Sequence, residues 1–167
     1  MKNILSSIFS PKAPAKAVSI KSPMEGKVIQ QANMQDSALA ALGTGAAIIP
    51  EKGAVYSPVD GVVKAVFPTK HALGLAAQNG AEIIIHIGID TVNLEGRYFT
   101  LHVKAEDMVK TGQLLLEFDI TAITNEGYIL ESPVIITNPE VFKNVSLTNK
   151  SYVNTEDEIM SVTVKPL

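Results

Sequence analysis

The chain has 167 residues, a formal net charge of −3, no cysteine, no tryptophan and only 5% aromatic residues. This composition excludes a disulfide scaffold, a thiol nucleophile and a thiolate metal site. It also lacks the basic surplus and aromatic–basic alternation of a general nucleic-acid binder, and the length suits one domain whose core needs no covalent staple.

In chain order, MKNILSSIFS places Met1, Ile4, Leu5, Ile8 and Phe9 at helical spacing. The stretch 11–17, PKAPAKA, reads as a linker. Residues 1–17 are therefore expected to be a flexible tail, either frayed or acting as a weak amphipathic membrane-surface anchor. In the second case Lys2, Lys12, Lys16 and Lys21 favour anionic lipid. No long apolar segment with a small-residue cleavage site follows, and residues 38–50 are too short and too rich in Gly and Thr to cross a bilayer. A cytoplasmic location is expected, with the tail contact at the inner membrane face.

Residues 18–167 are expected to form a single domain. Short β-type runs are read at 27–31, 46–49, 61–67, 71–78, 81–89, 98–103, 114–118, 134–136 and 161–164, with Gly, Pro and Asn breakers about every ten residues. Only 120–126 looks helical, with Asp119 as N-cap and Gly127 as stop. The fold class is all-β, an antiparallel sandwich or flattened barrel with one or two short helical turns. Ser22-Pro-Met-Glu-Gly-Lys-Val28 and Ser57-Pro-Val-Asp-Gly-Val-Val63 share one pattern and imply an internal duplication, each glycine being read as supplying a positive φ before a strand.

Asn79-Gly80 is a hairpin signal. A two-residue loop pairs Leu73 with His86 and His71 with Gly88, and makes the two histidines diagonal neighbours about 7–8 Å apart on one face. Alternation then assigns Ile83, Ile85, Ile87 and Ile89 to the core, and Leu73, Leu75 and Ile84 to an aliphatic rim around His86. In that setting desolvation favours neutral imidazole, which is nucleophilic through its lone pair. A backbone carbonyl fixes its tautomer, and Gly88, lacking a side chain, is the candidate.

The blocks Ser57-Pro-Val-Asp-Gly61, Thr69-Lys-His71, Ile85-His-Ile-Gly-Ile-Asp-Thr91, Leu94-Glu-Gly-x-x-Phe99 and Glu117-Phe-Asp119 resemble the signatures of one family. That family is the glucose/glucoside-type IIA component of the bacterial phosphoenolpyruvate-dependent sugar phosphotransferase system. The resemblance runs from about residue 20 to the C-terminus and implies a β-sandwich phosphotransferase component working through a phosphohistidine. By it, His86 accepts phosphate from the phosphorylated histidine carrier protein and passes it to a cysteine on the IIB domain of a sugar permease. His71 matches the histidine that stabilises the phosphoryl group, Thr69 the hydroxyl beside it, and Asp90 the acidic residue near the site. No metal and no cofactor are implied. Leu73, Leu75, Ile84 and Asp36 are the expected partner-docking residues, and the protein is expected to act as a monomer. The chain is about two residues shorter than the family pattern between Asp36 and Gly43, and Thr44 stands where a charged or polar residue is common.

Other readings explain less. His86-Ile-Gly-Ile-Asp90 resembles the H-x-G-x-D motif of lysostaphin-like zinc peptidases, but the further H-x-H element is missing. The duplicated turns resemble biotinyl and lipoyl carriers, yet the Asn79-Gly80 tip carries no lysine. A binding module switched by phosphorylation is compatible with the relay, since a phosphoryl group adds about 1.5–2 negative charges to an apolar face. His102 is read as structural or surface.

Overall fold

The computed structural model describes residues 17–166. The tail helix read for 1–10, and the linker up to residue 16, lie outside the described residues. The strands are β1 (Ala17–Lys21), β2 (Gly26–Gln30), β3 (Thr44–Pro50), β4 (Ala54–Tyr56), β5 (Gly61–Val66), β6 (Ala72–Ala77) and β7 (Glu82–His86). They continue with β8 (Phe99–Leu101), β9 (Met108–Val109), β10 (Leu114–Phe118), β11 (Ser132–Ile136), β12 (Phe142–Leu147), β13 (Tyr152–Val153) and β14 (Glu158–Val164). Two short helices, α1 (Ser37–Ala40) and α2 (Ile120–Asn125), interrupt them. Asp119 caps α2, accepting from the Ala122 N–H at 3.0 Å, and Gly127 ends it at φ +92°.

Every strand pair is antiparallel. An eight-stranded sheet runs in the order β13-β2-β3-β11-β7-β6-β5-β9, and two three-stranded sheets, β1-β14-β12 and β4-β10-β8, accompany it. The large sheet does not close into a barrel. The β2–β3 and β5–β6 hairpins, each opened by a Ser-Pro turn, lie on opposite sides of the central β11–β7 pair, so the duplication read from the turns covers one hairpin on each side. Ser22 Oγ donates to the Met24 carbonyl and Ser57 Oγ to the Val59 carbonyl, both at 2.6 Å. Gly26 opens β2 opposite Val153, and Gly61 opens β5 opposite Val109.

Neither glycine has a positive φ, which corrects the expectation. Each is needed for close approach instead. A Cβ on Gly26 would stand 2.0 Å from the Ile49 carbonyl oxygen, and one on Gly61 would stand 2.2 Å from that of Ala76.

The β6–β7 hairpin also differs from expectation. Its loop has three residues, Gln78–Gly80: Gly80 N–H donates to the Ala77 carbonyl at 3.0 Å, Ala77 N–H donates to the Ala81 carbonyl at 2.8 Å, and of the loop only Gly80 has a positive φ. A type I′ turn needs two such residues, so the chain adopts a turn ending in a left-handed glycine. The register moves by one: Ala72 pairs with His86, and Leu73 with Ile85. A one-residue slip moves a whole strand to the other face, so Leu73 and Leu75 are fully buried beside Ile85 and Ile83 in the core and form no rim.

The strand read across 81–89 stops at His86, because Gly88 (φ +73°) and Asp90 (φ +60°) turn the chain away. At the other end of β6 and β7, Val18 and Ser19 of β1 share a cleft of about 350 Å³ with Ala77, Gln78 and Asn79. The chain thus enters the fold beside the Gln78–Gly80 turn, and both histidines lie at the opposite end of these strands.

Candidate functional site

The loop Phe67–His71 joins β5 to β6. Pro68 pre-sets its own φ within a turn closed by the Lys70 N–H on the Phe67 carbonyl at 2.8 Å, and Lys70 is left-handed at φ +57°. His71 follows, one residue outside β6, where strict alternation no longer dictates its direction. Its carbonyl accepts from the Ile87 N–H at 2.8 Å, and its Nδ1 lies 2.7 Å from the Thr69 hydroxyl. His86, the last residue of β7, meets it edge to face with ring centroids 4.8 Å apart and an interplanar angle of 84°. Phe67, 41% exposed, packs against His71 at 5.6 Å.

The Gly88 carbonyl oxygen stands 2.8 Å from His86 Nδ1. A carbonyl only accepts, so Nδ1 carries the proton and the lone pair of the neutral ring is on Nε2. Gly88 has to be glycine: besides its positive φ, a Cβ would meet Thr91 Cγ2 at 2.7 Å and the Ile129 carbonyl at 3.0 Å.

Burial, and then the neighbouring His86 ring, push His71 down to about 4, against the opposing pull of a hydrogen bond with the Thr69 backbone. His86 is also lowered by burial, while the Gly88 hydrogen bond and the charges of Asp36 and Asp90 act the other way. Both rings are therefore neutral near pH 7, with two carboxylates at a distance.

Asp36 is half-buried and caps α1, its Oδ1 accepting from the Leu39 N–H at 3.0 Å. The loop that carries it is closed by the Gln31 amide, which donates to the carbonyls of Ala40 and Gly43 at 2.8 Å each and accepts from the Gly45 N–H. Asp90 is exposed and leads into the 3₁₀ turn Thr91–Leu94. Ile84 shares the face of His86 and borders an apolar cleft of about 350 Å³ with Gly74 and Ala76, rimmed by Lys64, Glu82 and Thr137. Small side chains occupy the places expected for Leu73 and Leu75.

Sequence reasoning missed Phe67, and also Glu131 and Ser132 at the entry to β11. The signal for the last two was a carboxylate and a hydroxyl opening the apolar run Glu131-Ser-Pro-Val-Ile-Ile136. His102, the only other histidine, pairs with Glu117 at 2.6 Å on the β8–β10 sheet and is not part of the site. A zinc peptidase reading therefore has no third imidazole for its ligand set.

Residues 18–142 match the family described as phosphoenolpyruvate-dependent sugar phosphotransferase system, EIIA 1. The chain is 45% identical over 146 residues to a beta-glucoside-specific EIIBCA component of this system from Halalkalibacterium halodurans; the match covers 86% of this chain but 23% of that protein. It is 43% identical over 150 residues to a glucose-specific EIIA component from Oceanobacillus iheyensis, covering 88% of this chain and 91% of the relative. The glucose permease IIA from Mycoplasma capricolum superposes with a TM-score of 0.79 at 30% identity, over 87% of this chain and 96% of that one. The chain thus spans nearly the whole of the EIIA relatives and less than a quarter of the EIIBCA protein.

Proposed function

The chain belongs to the EIIA 1 family of the phosphoenolpyruvate-dependent sugar phosphotransferase system, and from that membership we propose that it relays phosphoryl groups through His86. The observation that carries this reading is the His86 Nδ1 contact with the Gly88 carbonyl, which leaves Nε2 as the nucleophile in a neutral ring. Nε2 attacks the phosphorus of the phosphorylated histidine carrier protein; a new N–P bond forms as the donor's N–P bond breaks and its imidazole leaves. The cysteine thiolate of a IIB domain then attacks the same phosphorus, and His86 departs with its lone pair restored.

His71, 4.8 Å away ring to ring, donates an N–H to the phosphoryl oxygens, and Thr69 holds its ring. Gly88 sets the tautomer of His86. Asp90 and Asp36 add negative potential that draws a basic donor surface. Ile84, Phe67 and the Gly74–Ala76 cleft provide the apolar ground on which donor and acceptor dock in turn and which slows hydrolysis of the phosphohistidine. The same cleft supports a second reading, in which phosphorylation switches the binding of a regulatory partner. Residues 18–167 act as one cytoplasmic, monomeric phosphocarrier domain, and residues 1–17 serve as a weak surface anchor.

The test combines phosphoenolpyruvate, enzyme I and the carrier protein with wild type, His86→Ala and His71→Ala. His86→Ala accepts no phosphate; His71→Ala is labelled but transfers poorly onward. Equal labelling of wild type and His86→Ala ends the assignment. Removing residues 1–17 leaves labelling intact and weakens binding to anionic vesicles.

A further inference from the structure

We propose that Glu131 and Ser132, where the chain enters β11, are positioning residues that set the two walls of the histidine site. Ser132 acts through the Gly88 turn and Glu131 through the loop carrying Asp36. The kinetic part of this inference rests on the phosphoryl-relay reading; the geometric part does not.

The Gly88 turn lies beyond the end of β7, so its peptide groups lack ladder partners. Each has been given another. In the Ile87–Gly88 peptide, the carbonyl accepts from the Thr91 hydroxyl and the Gly88 N–H donates to Ser132 Oγ at 3.1 Å. In the next peptide, the Ile89 N–H donates to the Ile129 carbonyl at 2.9 Å, and the Gly88 carbonyl faces His86 Nδ1. Ser132 is 0% exposed, and its hydroxyl proton is committed to the Leu130 carbonyl at 2.7 Å. With the proton so committed, the hydroxyl cannot rotate, and its oxygen faces the Gly88 N–H as an acceptor. The orientation of the carbonyl that selects the His86 tautomer thus depends, besides Thr91 and the Ile129 carbonyl, on a buried hydroxyl 44 residues away in sequence.

Glu131 is 2% exposed, and its Oε1 accepts the Gln35 N–H at 2.7 Å across 96 residues. Buried carboxylates are rare unless paired. This one ties down the N–H of Gln35, the residue before Asp36, whose charge acts on His86. Neither Glu131 nor Ser132 hydrogen-bonds to either imidazole. Ser132 reaches His86 through a backbone turn, and Glu131 governs where a docking carboxylate stands.

The experiment uses the full chain labelled with ¹⁵N, and reads the His86 ring nitrogens by two-bond ¹H–¹⁵N correlation alongside single-turnover uptake from the phosphorylated carrier protein. Wild type shows the Nδ1–H tautomer. Ser132→Ala yields a tautomer mixture and lowers the uptake rate about tenfold at unchanged apparent donor affinity, as expected when a buried N–H loses its acceptor. Ser132→Thr, which keeps the hydroxyl, restores both. Glu131→Ala leaves the tautomer alone and weakens apparent donor affinity about tenfold, and Glu131→Gln, whose Oε1 still accepts from Gln35, restores it.

Ser57→Ala is the control: it removes a buried hydroxyl with the same type of carbonyl bond, so it lowers thermal stability without moving the tautomer. If Ser132→Ala does not fold, Ser132→Cys carries the same expectation, because its sulfur is a weak acceptor. A single Nδ1–H tautomer with wild-type uptake in the Ser132 variant overturns the Ser132 role, and unchanged donor affinity in Glu131→Ala overturns the Glu131 role. The tautomer is read on unphosphorylated protein, so a wild type that takes no phosphate defeats the relay alone.

Discussion

Gly88 concentrates the local chemistry of the site in one residue. It needs a positive φ, has no room for a Cβ, and offers the carbonyl that meets His86. Gly88→Ala is expected to cost about 1–3 kcal/mol in urea unfolding and to reduce phosphate uptake by more than the stability loss explains, because the carbonyl is turned off Nδ1. Unchanged uptake in a folded variant would contradict that coupling. Part of this was legible in the sequence: a glycine two residues after a histidine indicates a carbonyl on which the ring can rest, whereas the end of the strand at His86 was not, because the aliphatic run continues to Ile89. Leu73 and Leu75 were not legible. Which face they occupy turns on one residue of loop length, and Asn-Gly is compatible with both the two-residue and the three-residue turn.

The Ser-Pro turns recur for a reason that belongs to strands, not to glycine dihedrals. Gly26→Ala and Gly61→Ala would each drive a methyl into the carbonyl of the adjoining strand. Both are expected at the upper end of the roughly 1–3 kcal/mol range for overpacking, to similar extents, read as lowered melting temperatures. A silent substitution at either position would mean that the sheet opens easily there. The duplication also includes a second turn. Lys104 N–H donates to Asp107 Oδ2 just before β9, and Asn154 N–H to Asp157 Oδ2 just after β13. Val103-Lys-Ala-Glu-Asp107 and Val153-Asn-Thr-Glu-Asp157 show this pattern in the sequence. Strands β5, β7 and β10 were readable from their aliphatic runs, whereas β9, β12 and β13 were not. In β12, Lys143, Asn144 and Ser146 face solvent, and β9 and β13 are only two residues long, so pairing with neighbours rather than local preference sets the conformation.

Taken as a whole, the molecule has a pH response governed by its paired imidazoles. The folded pKa of His71, about 4, lies below the usual 6.5, and that of His86 is shifted the same way, so the unfolded chain takes up protons first on acidification. Stability is therefore complete above about pH 6.5 and declines as pH falls toward 4, with His71 responsible for at most about 3 kcal/mol. The lowered carboxyls of Asp60, Asp107 and Asp157 act with the same sign, but only in more acidic solution. Urea unfolding between pH 4 and 7 should show this slope in wild type and a flatter one in His71→Gln; equal slopes would assign the response elsewhere. A different consequence follows from where β1 enters. Val18 and Ser19 sit by the Gln78–Gly80 turn, about 17 Å of strand away from the imidazoles. Any leash attached there, be it a bilayer contact or an adjoining module, holds the carrier by its rear pole and leaves the reactive pole looking outward. Sixteen residues reach at most about 55 Å, so such a tether confines the search for a partner to a small volume without shielding the surface that partner must find.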